Sequence, residues 1–198
     1  MTYAYRNSSI PSSATAGVFV PVVGPSGVGK DSVLAYAATE LRNDADMVFV
    51  RRTVTRPTTA GGEDFIGVTE KEFTRLVEND AFCLHWPAHG LHYGIPMSAS
   101  AAVDAGKVVV ANLSRGMIAA ARERFPRTLP IAITAPRAIV EQRLRSRGRE
   151  DDASIALRLA RLDAWQAEEN DLVKIDNSGS LEMAGMALVT TLRGLAAR

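Results

Sequence analysis

The stretch Gly24-Pro25-Ser26-Gly27-Val28-Gly29-Lys30 constrains this chain more than any other. It follows a short apolar run, Phe19–Val23, and precedes a helix-compatible segment, Lys30–Leu41. A G-x-x-x-x-G-K turn in that setting is a phosphate cradle. Backbone N–H groups wrap the anion, the helix N-terminus adds its dipole, and the lysine places a point charge beside the β- and γ-phosphates. All seven residues are therefore expected to bind a nucleoside triphosphate. A chance glycine-rich turn is the competing reading, and it would not require the strand before and the helix after.

The next position departs from the pattern. It ordinarily carries a Ser or Thr whose hydroxyl reaches Mg²⁺, and here it is Asp31, with Ser32 one further on. The apolar strand expected at Val108–Asn112 also lacks the acid that usually helps to hold the metal. A hard cation prefers oxygen ligands, so Asp31 and Ser32 are expected to hold Mg²⁺, directly or through water. The alternative is that Asp31 only caps the first helical turn.

Charge gives a second clue. Lys and Arg total 23 against 22 Asp and Glu, a formal +1 that argues against a protein coating nucleic acid by charge alone. Only Lys30, Lys71, Lys107 and Lys174 are lysines; the other basic residues are all arginines, whose planar fork matches phosphate bidentately. They gather at Arg51–Arg56 and Arg143–Arg149. Genomic composition accounts for arginine over lysine, but not for that clustering.

The single cysteine, Cys83, cannot form an internal disulfide and reads as a small buried hydrophobe. The longest apolar runs are too short to span a bilayer, and residues 1–16 lack the continuous apolar stretch of a secretory signal. The expectation is a cytoplasmic protein with a flexible N-terminal arm at 1–16 and one domain over 17–198. It would act on small molecules, without nucleic-acid or membrane partners.

Alternation of period and punctuation organises the rest. Strands are expected at Phe19–Val23, Met47–Val54, Val108–Val110, Ile131–Thr134 and Leu172–Ile175. Pro21 is awkward in the first of these, since a central strand would lose a ladder bond there. Helices are expected at Lys30–Leu41, from a Thr69/Glu72 capping box to Asn79, from Ser114 to Phe125, from Pro136 to Gly148, from Asp151 or Asp152 to Glu168, and over Ser180–Ala197. Strands alternating with helices indicate an α/β fold with a mainly parallel sheet.

Four further segments carry a resemblance. Thr53-Val54-Thr55-Arg56-Pro57, Gly90-Leu91-His92-Tyr93-Gly94, Arg143-Leu144-Arg145-Ser146-Arg147-Gly148-Arg149 and Asp176-Asn177, with the glycine loop, resemble the guanylate-kinase-like branch of P-loop kinases in the right order. The resemblance covers the chain from Phe19 to the C-terminal helix. It implies a P-loop kinase fold with a small acceptor-binding lobe at about 52–96 and a lid at about 143–158. It makes Arg56 and Tyr93 acceptor-phosphate residues, sets Asn177 near the adenine, and offers Arg143, Arg147, Arg149 and Arg158 to close over ATP. Arg147 joins Lys30 as the catalytic pair.

The guanine-reading places of that branch hold other residues. They fall on Arg52, on His85 just before Trp86, and on Asn112 or Ser114, while the loop from Thr58 to Ile66 is short and lacks a second arginine. A site built to hydrogen-bond guanine cannot lose its acceptors without stranding donors on the base, so GMP is not the expected acceptor. Gly29-Lys30-Asp31-Ser32, Ala60-Gly61-Gly62-Glu63, Asn112-Leu113-Ser114-Arg115 and Arg147-Gly148-Arg149-Glu150 are instead similar to the ribose 1,5-bisphosphate phosphokinases of phosphonate breakdown. The implied reaction moves the γ-phosphoryl of ATP, with Mg²⁺, onto the 1-phosphate of ribose 1,5-bisphosphate. Arg52, Arg56, Glu63, His85, Tyr93, Asn112, Ser114 and Arg115 are then the acceptor-binding set. Surface arginines on a strand edge are the alternative for Arg51 and Arg52.

A phosphate acceptor is already ionised at neutral pH, so no general base is needed and none stands out. His85, His89 and His92 share one window, but Gly90 breaks any helical face a zinc pair would need. Trp86 and Trp165 read as core anchors. Two other functions stay open at this stage: a nucleoside monophosphate kinase, and a non-catalytic interaction domain of the same fold.

Overall fold

Valine-rich strands that alternate large and small apolar residues need both faces covered, and that requirement sets the architecture. The computed structural model describes residues 17–57, 64–146, 151–166 and 172–196. Five strands form the central sheet: β1 (Val18–Val23), β2 (Met47–Val50), β7 (Val108–Asn112), β8 (Ile131–Thr134) and β9 (Val173–Asp176). Their order is β2-β7-β1-β8-β9, with every pairing parallel. The second sheet is made of β3 (Arg52–Val54), β4 (Phe65–Gly67), β5 (Phe82–Ala88) and β6 (Leu91–Pro96), in the order β4-β3-β6-β5. Only β3 and β4 run parallel in it.

The two faces of the central sheet have different contents. Val18, Val20, Val22, Val108, Val110, Ile131 and Ile133 point into one core cluster. There they meet Val33 and Ala37 of α1 (Lys30–Glu40), Val140 and Leu144 of α5 (Arg137–Ser146), Leu159 and Leu162 of α6 (Asp152–Gln166), and Leu188 and Leu192 of α7 (Leu181–Ala196). Phe19, Val23, Val109, Ala111 and Ala132 point the other way. That cluster holds Leu84, Trp86 and Ile95 of the second sheet, with α3 (Met97–Asp104) and α4 (Ile118–Arg124). The second sheet thus packs on the face of the first that carries the smaller side chains.

Pro21 does lie in the middle strand of the central sheet, and the ladder explains why it is tolerated. Phe19, two residues earlier and facing the same edge, exchanges bonds with Arg127 and Leu129, whereas β8 pairs with β1 only from Val22 onward. The missing donor therefore falls in the gap before the β8 ladder begins.

Two expected elements change on folding. Met47–Val54 is not one strand: β2 ends on Ala111 at Val50, Arg51 stands unpaired in any ladder, and β3 begins pairing with Phe65 at Arg52. Met47–Val54 is rich in strand-forming residues on both sides of the break, so propensity alone merges the two strands, although the polar pair Arg51-Arg52 marks where the partner changes. The helix expected from Ser114 is a 3₁₀ turn, Arg115–Met117, before α4 starts, and the Ser114 hydroxyl caps nothing. The capping box at Thr69 is present in both halves and opens α2 (Glu70–Glu78).

Candidate active site

The glycine loop leaves β1 and enters α1 with Gly29 as the N-cap, in the left-handed conformation at φ 87°. A side chain there would be strained by the backbone, and its Cβ would lie 2.5 Å from Asn177 Nδ2. Gly27 packs closely against α5: a Cβ there would come 2.9 Å from Val140 Cγ1. Val28, fully buried between them, anchors the loop in the core.

Asn177 lies behind this loop. It is only 4% exposed, its Nδ2 donates to the Val28 carbonyl at 2.7 Å, and its backbone N–H donates to Thr134 at the end of β8. Its side chain therefore braces the loop from within the protein. Arg158 of α6 donates to Ser26 Oγ at 2.6 Å, and Arg143 of α5 reaches the Gly179 carbonyl at 3.5 Å. Two elements of the expected lid thus touch the loop or the turn after β9. Arg147, Arg149 and Glu63 lie outside the described residues, as do residues 1–16.

At the mouth of the loop three side chains interlock. Lys30 Nζ donates to Asn112 Oδ1 at 2.7 Å and lies 3.2 Å from Asp31 Oδ1, while Asn112 Nδ2 donates to the same Asp31 oxygen at 3.0 Å. Asn112 ends β7, beside β1, which is why a residue 82 positions from Lys30 arrives there. The structure therefore groups Asn112 with the phosphate loop, whereas the resemblance assigned it to the acceptor. Ser32 is exposed on the first turn of α1.

The donor chemistry at this mouth fits Mg²⁺. Asp31 supplies a carboxylate that is 47% exposed, and the helix start tolerates the negative charge; Ser32, one residue on, lines a cavity with Ala35, Tyr36 and Leu181. No group of three His, Cys, Asp or Glu side chains is gathered for a metal among the described residues.

The acceptor side is built by stacking. Tyr93 on β6 lies opposite Trp86 on β5, their rings 5.4 Å apart and nearly parallel. The Arg52 guanidinium lies over the Tyr93 ring at 4.9 Å and is only 8% exposed. Arg52 is therefore not a surface arginine. Trp86 Nε1 completes the row by donating to Ser114 Oγ at 2.8 Å. Arg56 stacks over Phe65 at 4.4 Å, and Phe65 sits opposite Arg52 in the register. Arg52, Arg56, Tyr93 and Ser114 are thus brought together.

His85 and Arg115 are not brought to that row. His85 sits opposite Gly94, so its side chain leaves the sheet on the other face from Trp86 and Tyr93, near Phe82. Burial, and then the neighbouring His92, hold its pKa below the ordinary histidine value. Arg115 stacks on Trp165 and donates to that residue's carbonyl at 2.9 Å, tying the 3₁₀ turn to the end of α6. Cys83 is buried as expected, and burial pushes its thiol up to about 11, which leaves it unreactive at neutral pH.

With this geometry in place the comparisons are specific. The family model for guanylate kinase matches residues 18–192. The chain belongs to the guanylate kinase family. A protein of Chelativorans sp. (strain BNC1) called ribose 1,5-bisphosphate phosphokinase PhnN is 45% identical over 91% of this chain and 87% of its own length. One of the same name from Pseudofrankia inefficax is 46% identical, over 89% and 90% respectively. Among solved structures, guanylate kinase from Anaplasma phagocytophilum superposes with a TM-score of 0.65 at 22% identity, covering 92% of this chain and 88% of that one. The expected P-loop kinase fold is thereby established.

Two contacts escaped the sequence reading. The bridging role of Asn112 follows from β7 being the parallel neighbour of β1, whose carboxyl ends open on one crevice. The Trp86–Ser114 bond links the second sheet to the turn after β7 and has no local signature.

Proposed function

We propose that this protein transfers the γ-phosphoryl group of ATP to the 1-phosphate of ribose 1,5-bisphosphate, forming 5-phospho-α-D-ribosyl 1-diphosphate in phosphonate breakdown. The observation that carries this reading is Arg52. It occupies a guanine-reading place, is buried, and is stacked on Tyr93 beside Arg56. The names and 45–46% identities of the relatives support the same acceptor.

The acceptor differs from GMP by one phosphate more and one base fewer, and cationic planar side chains in place of neutral acceptors match that exchange. Arg52 and Arg56 bind the acceptor phosphates, with the Tyr93 hydroxyl and Ser114 completing that side; Glu63 remains a candidate for it, whereas His85, on the other face of the sheet, and Arg115, held by Trp165, do not join it. Stacking holds each guanidinium plane before the ligand arrives, so less side-chain entropy is lost on binding. Residues 52–96 act as the acceptor lobe and residues 143–158 as the lid.

On the donor side, the backbone N–H groups of residues 26–30 wrap the β- and γ-phosphates, Pro25 having none to offer, and Lys30 moves from Asn112 onto them. Arg143 and Arg147 approach from the lid, and Asn177 keeps the loop in shape. Asp31 and Ser32 would hold Mg²⁺, which when bound neutralises charge on the phosphates. The attacking oxygen belongs to an ionised phosphate, so positioning and charge neutralisation suffice and no side chain removes a proton. No described helix is long and apolar enough to cross a membrane, in keeping with a cytoplasmic setting.

The test is ADP release with ATP, Mg²⁺ and either ribose 1,5-bisphosphate or GMP. Turnover with the bisphosphate and at least 100-fold lower kcat/KM with GMP is expected. The reverse preference would make the protein a nucleoside monophosphate kinase, and no ATP binding would make it an interaction domain.

A further inference from the structure

Two departures around the phosphate loop complement each other. Where the loop pattern continues with Ser or Thr, this chain has Asp31; where the neighbouring strand ordinarily supplies an acid, β7 ends in Asn112. The two side chains touch, and both touch Lys30. We propose that Asn112 is a positioning residue which lets the metal-facing carboxylate sit on α1 instead of on β7. This rests on the loop being a Mg²⁺-triphosphate site, and is independent of which acceptor is used.

A primary amide offers an acceptor and a donor from a single rigid plane and carries no charge at any working pH. Its carbonyl takes the Lys30 ammonium and its NH₂ takes the Asp31 carboxylate, and only that orientation serves both neighbours. The amide is 6% exposed and rides on a strand paired residue for residue with β1, so it is a fixed reference point. Asp31 is half-exposed on the helix, and its contacts with Lys30 and Asn112 both fall on Oδ1, so the carboxylate is held in place at the mouth where a cation would meet it.

Aspartate at position 112 would set two carboxylates side by side around one lysine. Like charge would oppose an incoming triphosphate, and Lys30 would be held by both acids. With Asp31 replaced by threonine, that same aspartate would recreate the ordinary arrangement of hydroxyl on the helix and acid on the strand. The two positions are therefore expected to be strongly coupled, with neither exchange tolerated alone.

The experiment is calorimetric titration of ATP into the full chain, with excess Mg²⁺ and again in EDTA. The readout is the ratio of the two Kd values, which needs no turnover. Asp31→Thr is expected to bring this ratio close to one. Asn112→Asp should weaken Mg²⁺-ATP binding about 10-fold, and the double variant should recover most of the wild-type ratio. Asn112→Ala, which removes both bonds without adding charge, should lower the ratio about 3-fold and covers the case in which the acidic variant fails to fold. Independent, additive effects of the two exchanges would overturn the proposal, as would a wild-type ratio in Asn112→Ala. Absence of ATP binding by the wild-type chain would overturn the loop reading itself, and lack of turnover with ribose 1,5-bisphosphate would leave the coupling intact.

Discussion

In the proposed reaction, the donor and acceptor sides of this cleft handle the same chemical group, a phosphate, by different means. The donor side is backbone first: a loop of glycines shaped by a buried amide, Asn177, and by close packing on α5. The acceptor side is side chain first: two guanidinium groups laid on aromatic rings. Backbone donors cannot change register without moving a strand, so the donor site is fixed once the fold forms. A stacked arginine is replaced by a single codon change, so the acceptor side is where a family can exchange one substrate for another.

That contrast is broken most forcefully at Lys30. Lys30→Ala should lower kcat by about 10²–10³ with little change in the acceptor KM, measured by steady-state ADP release. Next comes Arg52→Ala. It should raise the acceptor KM by about 10-fold or more and leave the ATP Kd within about twofold, in line with about 1.5–3 kcal/mol for a charged hydrogen bond. An unchanged acceptor KM would return Arg52 to a packing role.

Asn177→Leu probes the opposite side. It removes the bond to the Val28 carbonyl without adding charge, and it should weaken ATP binding several-fold while sparing the acceptor KM. The smallest effect belongs to Trp86→Phe, which keeps a ring against Tyr93 but strands Ser114 Oγ. A loss of about 1 kcal/mol in urea unfolding is expected, with kinetic constants near wild type. A larger kinetic than thermodynamic effect would mean that the stack aligns the two sites as well as filling space.

The sequence disclosed the loop, the parallel sheet and the capping box because each is a local pattern with a local cause. Gly29 needs its left-handed φ, Thr69 and Glu72 are three residues apart, and the valine strands must be buried on both sides. What stayed hidden depends on partners distant in the chain. Met47–Val54 is strand-forming throughout yet changes sheets at Arg51, and Asn112 joins Lys30 only through strand order. His85 occupies a motif position but falls on the other face of its sheet from Tyr93, a distinction of one residue in register. Ser114 satisfies a tryptophan instead of a helix end because Trp86 lies within reach after folding and its N–H must be paired when buried.

The break at Arg51 has a geometric consequence. A single residue separates the last rung of one sheet from the first rung of the other. If the lobe turns about that junction, each atom travels in proportion to its distance from the axis. Arg52, at the pivot, would barely be displaced, whereas the hairpin tip at His89 and Gly90 would sweep the widest arc. Arg52, proposed to read the acceptor, would then keep its place through opening and closing, like the pin of a door.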